Sequence, residues 1–339
     1  MIRSKKVKLV SFNKLPYYFS VLFISFCFLI SIFCYFIIPD KTANANTMNL
    51  SIQSMKPGFS VRMLTVPNFE TKTLKSFFFG LNKPLEQYPI NDYWFSNDSI
   101  NIKLFNKFKE PNEIKSFPLS VFDMSIDSNV LNNVQNIRDK ISNKYITQHK
   151  FNFGTDLYGR DLFSRVLLGT RVSLSIGIMA VIISTFLGLF FGSLGGYYGG
   201  IVDKIVVYII NVFWSIPTLL LVIAISLSLG KGFWQVYIAI GFSVWVDVAR
   251  LVRGKVISEK NKDYISASRI LGFNNLYIIS YHIIPNILGP LLIIAAANFA
   301  SSILLESGLS FLGIGTQPPL PSWGYMIKEN YQYIILGNA

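Results

Sequence analysis

Only two cysteines and two histidines occur in 339 residues, which excludes a disulfide framework and disfavours a Cys/His metal site. Charge is also scarce. Charged residues make up 14%, against roughly 25% in soluble domains, whereas hydrophobic residues reach 51% and mean hydropathy is +0.43. An ordinary soluble chain is disfavoured, and the 29 Phe, 17 Tyr and 5 Trp argue against disorder. Acidic residues are outnumbered, 18 against 31 Lys and Arg, for a net charge of +13. Such a surplus suits nucleic acid or the inner loops of a membrane protein, and its location decides between them. The chain has no G-x-x-x-x-G-K-[ST], so it cannot cradle nucleotide phosphates through a P-loop. Gly230-Lys231-Gly232 is too short to serve, and Gly308, Gly313 and Gly315 do not fit G-x-G-x-x-G. There is no H-E-x-x-H.

Long apolar runs dominate what is present. A hydrocarbon core about 30 Å thick takes roughly 20 apolar residues of helix. Such runs lie at 17–38, 172–195, 205–229, 233–251 and 283–305, five spans in all. The first follows Arg3, Lys5, Lys6, Lys8 and Lys14, with no acid before it. Ala43-Asn44-Ala45 offers a cleavage pattern, but the run exceeds the roughly 7–15 residues of a signal h-region and reads as an uncleaved anchor. Cys27 and Cys34 lie in this run, about 10 Å apart by helical rise, too far to bridge. With the basic N-terminus inside, 39–171 falls outside and the loop 252–282 inside. That loop holds Arg253, Lys255, Lys260, Lys262 and Arg269 against Glu259 and Asp263. The basic charge is dispersed and explained by topology, so nucleic acid is not an expected partner. Residues 1–38 are the inner terminus and anchor, 39–150 an outer insert rich in Asn, Lys and Ser, and 151–339 the membrane domain.

Several residues stand out in the membrane half. Gly188, Gly192, Gly196 and Gly200 recur every four residues, a close-packing face up to about 192 and a turn after about 196. Pro217, inside the third run, predicts a kink that is either a hinge or static. Asp247 and Arg250 stand three apart near the inner end of the fourth run, placed to pair or to snorkel. Asp156, Arg160 and Asp161 suit an ion-paired elbow more than a catalytic site. His149 and His282 read as surface or capping residues. In the inner loop, a short helix over 258–271 stops at Gly272, where a left-handed cap suits glycine. A second, Leu276 to Ile283, ends near Pro285. Together they form a compact knob suited to docking into a groove.

This loop resembles the coupling loop of bacterial ABC importer membrane subunits. The resemblance extends through Asn152 to Arg165, Gly169 to Leu174, the Gly-Tyr-Tyr-Gly-Gly turn, Ala249 to Gly254, His282 to Asn286, Glu306 to Gly315 and Pro321 to Gly324. Together these are similar to the dipeptide/oligopeptide/nickel permeases, C-type subunit. The resemblance implies an all-α integral membrane protein, a type I ABC importer transmembrane domain. It implies Asp263, Tyr264, Ser266, Ala267, Ser268, Arg269, Gly272 and Pro285 as the ATPase-coupling loop, whereas Gly188, Gly192, Gly196 and Pro217 are packing or hinge positions by spacing and residue type alone. It implies a homologous second permease, two ATP-binding subunits that carry ATP and Mg, and an external solute-binding protein. No catalytic, cofactor or metal residues are expected in this chain, whose setting would be the bacterial inner membrane, multi-pass, with the N-terminus cytoplasmic. Three departures stand out. Ser266-Ala267-Ser268 replaces the family's Glu-Ala-Ala, the insert is long, and the chain ends at Ala339, where the family's sixth span should begin. A truncated end is expected. The rival readings are an integral membrane enzyme, which needs the cluster at 156–161, and a non-transporting scaffold.

Overall fold

The computed structural model describes residues 15–67, 78–81, 86–107, 113–122, 132–230 and 232–335. The basic residues Arg3 to Lys14, Lys231 and the terminal Ala339 lie outside them. Helix α1 (Leu15–Ile37) leads into an antiparallel sheet of β1 (Phe59–Val66), β2 (Glu86–Phe95), β3 (Ser99–Leu104), β4 (Ile114–Pro118) and β5 (Ile146–Phe151), with α2 (Asn132–Lys140) before β5. The strand order is β4-β3-β2-β1-β5. Alternating Ile100 and Ile102 of β3 point into a core with Leu64, Ile90, Phe122 and Ile141. The all-α expectation therefore describes the membrane half, and the insert between its first two long helices is a β-domain.

The membrane half comprises α3 (Leu162–Tyr198), α4 (Gly200–Trp214), α5 (Thr218–Ser228), α6 (Phe233–Lys260), α7 (Asp263–Ile270), α8 (Ile284–Leu312) and α9 (Trp323–Ile335). Asp161 caps α3 by accepting from the Ser164 N–H at 3.0 Å. Among the described residues, four helical stretches are long and apolar enough to cross a membrane, and α4 with α5 would make a fifth. Helices α3 and α6 pack in parallel: Gly188 meets Val248, Gly192 meets Val252 and Gly196 meets Val256. Two parallel helices need a return passage between them, and the bent pair α4–α5 supplies it.

Three expectations need correction here. Close packing continues to Gly196, because α3 stays helical to Tyr198, and the turn is at Gly199-Gly200, both with positive φ. Pro217 does not kink one helix. It ends the passage's first half and opens the second, bending the chain by 90°. The ring lacks the N–H that a continuous helix needs and crowds the helical region for the residue before it, so the ladder breaks at Pro217, whose ψ of 127° is extended. Finally, the segment before Pro285 is not a separate helix. One α-turn at Asn275–Tyr277 runs through a π-turn, Ile278–Ile283, straight into α8. The widened turn accommodates Pro285 near the start of α8, where a missing N–H costs little.

The insert is joined firmly to the bundle. Tyr35 of α1 donates to the Ala43 carbonyl, Ala45 is fully buried, and the Asp40 amide donates to Ser164 Oγ at 3.1 Å. Cleavage at Ala43-Asn44-Ala45 would therefore have to unpack this junction. Cys27 and Cys34 are both free thiols. A cavity of about 20 Å³, room for one water, lies between insert and bundle, lined in part by Asp40, His149 and Asp161. His149 is not a surface residue. It is half-buried in β5 with its ring 4.6 Å from that of Phe151. Burial lowers its pKa from 6.5, against the pull of Asp161 and Asp40. The folded insert thus favours neutral His149, and this stability is complete above about pH 6.5 and lost as pH falls below it. Lowering the pH from 7.5 to 5.5 is expected to increase proteolysis of the insert, and His149→Gln should flatten that dependence.

Candidate functional site

At the end of the bundle opposite the insert, α6 passes into α7 through Asn261-Lys262, so the single helix expected over 258–271 is instead the last turn of α6 and a separate α7 beginning at Asp263. Lys262 Nζ pairs with Glu259 Oε1 at 2.7 Å, and the Tyr264 hydroxyl donates to Glu259 Oε2 at 2.6 Å. Burial, then the neighbouring carboxylate, pushes the Tyr264 hydroxyl up to about 12, so it stays a neutral donor. Asp263 opens α7, where a carboxylate suits the helix dipole. Ile265 and Ser268 face inward, whereas Ser266, Ala267 and Arg269 are exposed. Ser268 satisfies itself on the Tyr264 carbonyl at 2.8 Å. Ser266, where the resemblance leads one to expect a carboxylate, therefore changes an outward contact rather than the packing of the knob.

Gly272 stops the helix as expected. Its φ is +82°, and the Phe273 N–H donates back to the Ser268 carbonyl at 3.2 Å. Asn274 then caps the next turn, its Oδ1 accepting from the Tyr277 N–H at 2.7 Å. Pro285 lies apart from these residues, exposed on α8.

Tyr197, at the end of α3, holds the knob to the bundle, a role the sequence reading missed although it had singled out the turn containing it. Its hydroxyl donates to Asn275 Oδ1 at 2.8 Å, and Arg269 lies over its ring at 5.4 Å. Ile265, Ile278 and Ile283 continue the same core into Val248, Val252 and Val256 of α6. The knob is thus one packed unit with α3, α6 and α8, and displacing it moves the helices. Its outer surface is apolar, with Ile270 87%, Leu271 75% and Leu276 74% exposed. Phe273, Tyr277 and Tyr281 stack beside it at 4.8 and 4.7 Å. His282, half-buried against Phe273 and Tyr277, is neither a cap nor a surface residue.

At the insert end, Asp156, Arg160 and Asp161 do not form an open catalytic cluster. Asp156 binds Arg160 Nε at 2.5 Å, Arg160 reaches both oxygens of Glu329 on α9, and Arg165 reaches Glu329 Oε2 at 3.1 Å. The arginine side chains are 3% and 1% exposed. Glu329 and Arg165 escaped the sequence reading because nothing local marks them as partners. A second buried knot joins Glu306 Oε1 to Ser310 at 2.6 Å and to Thr316 at 3.2 Å, and Thr316 to Ser322 at 2.6 Å. It folds the loop after α8 back on that helix. Among the described residues, no group of His, Cys, Asp and Glu is placed to hold a metal.

Residues 171–337 match the family described as binding-protein-dependent transport system inner membrane component. The oligopeptide transport system permease protein OppC of Bacillus subtilis (strain 168) is 38% identical over 52% of this chain and 58% of its own length. The dipeptide transport system permease protein DppC of the same organism is 39% identical over 55% and 58%. The glutathione transport system permease protein GsiD of Pectobacterium atrosepticum is 39% identical over 52% and 58%. The chain thus spans 58% of the length of each of these relatives. Among solved structures, an inward-facing MetNI methionine ABC transporter aligns with 52% of this chain and 82% of its own, at 20% identity and TM-score 0.43. So weak a likeness carries no argument. On the family match and the identities to peptide permeases, residues 171–337 form a domain of the binding-protein-dependent transport system inner membrane component family.

Proposed function

We propose that this chain is a permease subunit of an ATP-driven importer that moves peptides or a similar small solute, with nickel the other solute class, across the bacterial inner membrane. The family match across the membrane half, joined to a knob packed rigidly on three long helices, carries this reading. The chain itself does no chemistry. ATP and Mg belong to two partner subunits, each receiving a coupling knob. A second permease completes the passage, and an external binding protein delivers solute. The N-terminus and knob face the cytoplasm and the insert faces outward, an arrangement supported by the basic loop 252–282 and by the opposite placement of insert and knob. Closure of the ATP-binding pair displaces the knob, and the packed helices rock between two arrangements. The enzyme reading has no support here, since the polar cluster it needs, at 156–161, is buried and internally paired.

Purification from native membranes in mild detergent tests the assembly, and ATP-driven peptide uptake by the reconstituted complex tests the activity. Recovery of the chain without a second permease and P-loop ATPases would reject the proposal. Gly272→Val places a branched side chain at φ +82°, at a cost of about 1–2 kcal/mol, and is expected to lower uptake about tenfold. Unchanged uptake would remove the role assigned to this turn.

A further inference from the structure

The interrupted passage and the middle of α6 place an unusual group of residues together. From Ser243 to Ala249, every residue is buried in the bundle except Asp247, which is exposed. Its carboxylate has no hydrogen-bond or ion-pair partner among the described residues. Arg250, one turn on, does not pair with it. The Arg250 guanidinium lies 3.9 Å from the Trp214 ring centroid, and its Nη2 is 3.4 Å from Asn211 Oδ1. Nor does the side chain snorkel. About 7–8 Å of helix rise separates Asp247 from residue 252, where the inner loop begins, and an aspartate has no long stem to bridge it. An exposed carboxylate even one to two turns inside the span is costly against lipid, so this face meets water or a cation.

The neighbouring backbone points the same way. Ser215, Ile216 and Pro217, between α4 and α5, are all exposed. Trp214, which ends α4 and carries Arg250, is 64% exposed. Unwound backbone inside a membrane is tolerated where it is covered by protein or lines a wet cavity, and interrupted helices build solute sites in transporters.

We propose that Asp247 faces the aqueous passage and, beside Trp214 and the break at 215–217, forms a subsite for a cationic group of the translocated solute, an organic ammonium. This rests on the permease reading and adds to it a residue that reads the solute. Trp214 supplies an aromatic wall, and Arg250, held on that wall, is kept from neutralising the carboxylate.

The test uses the assembled complex with Cys27→Ser and Cys34→Ala, so that introduced thiols are the only ones in this chain. Thiols introduced by Ile216→Cys and, separately, Asp247→Cys are exposed to cationic and anionic methanethiosulfonates. Both sites are expected to react. The Ile216→Cys thiol should prefer the cationic reagent, and adding Asp247→Asn should reduce that preference about tenfold while the complex still co-purifies. Inert thiols, or a preference unmoved by Asp247→Asn, would overturn the subsite. Loss of the second permease on Asp247→Asn would also overturn it, by assigning the carboxylate to a subunit interface. If the unaltered chain recovers no partners, the permease reading itself fails and the subsite falls with it. With the complex intact, only the subsite is at stake.

Discussion

Glu329→Ala is expected to lower the stability of the folded chain by about 3–5 kcal/mol. Glu329 accepts from Arg160 at 2.9 and 3.0 Å and from Arg165 at 3.1 Å. Both guanidinium groups are buried, and Arg165 Nη1 already has no hydrogen-bond partner among the described residues. Removing the carboxylate leaves Asp156 alone against two buried cations, and water cannot readily replace the lost partner. The cost is that of uncompensated charge, not of one surface ion pair. Glu329→Gln keeps an acceptor but not the charge and should lie between the two. Thermal unfolding in detergent reads the difference, and a loss below about 1 kcal/mol in Glu329→Ala would show that the pair is solvated in practice. Because α9 follows α8 through the Glu306 knot, the same substitution should also loosen residues 323–335, visible as new proteolytic cleavage there.

Gly192→Val should be at least as damaging. A Cβ at Gly192 would stand 2.7 Å from the Ala249 carbonyl oxygen and 2.8 Å from Val252 Cβ. Neither neighbour can swing aside, since one is backbone and the other is a branched side chain locked in a helix. Helices α3 and α6 must then separate, and the contacts on either side, at Gly188 and Gly196, are lost with them. Overpacking of this kind costs about 3 kcal/mol or more, and the expected result is a chain that fails to accumulate in membranes or melts well below the parent. Gly254→Ala is the control. It lies on the same α6, and a Cβ there meets nothing within 4 Å, so gaining helix propensity should leave stability unchanged or raise it. Equal behaviour of the two variants would refute the close-packing argument.

The contrast between these two sites marks what is local in this protein and what is not. The glycine stripe was legible because its spacing of four repeats along one helix and needs no partner to be seen. The helix stop at Gly272 was legible for the same reason: a left-handed cap is a property of a few consecutive residues. The apolar spans follow from composition, since hydrocarbon admits little else at that length. Glu329 was invisible because its partners lie 169 and 164 positions away and nothing near it in sequence is unusual.

Intermediate cases lie between these. Pro217 announced a disturbance, but not that the helix would break and turn by 90°, because the bend depends on how α5 packs against Val236 and Ile240 of α6. Pro285 suggested a helix end, yet the π-turn before it carried the helix onward, a compensation set by packing against α6 and α7. The insert's composition set it apart from the spans, but its strands and their order β4-β3-β2-β1-β5 are a matter of long-range pairing. Asp247 and Arg250 were placed to pair, and Trp214 took the arginine instead. By itself the sequence determined which segments enter a membrane, where the knob turns and which helix face is smooth, because those properties reside in adjacent residues and their solvent. Tertiary structure alone decided which charges are neutralised and which is left open, because partners for a charge are chosen by packing across the whole chain.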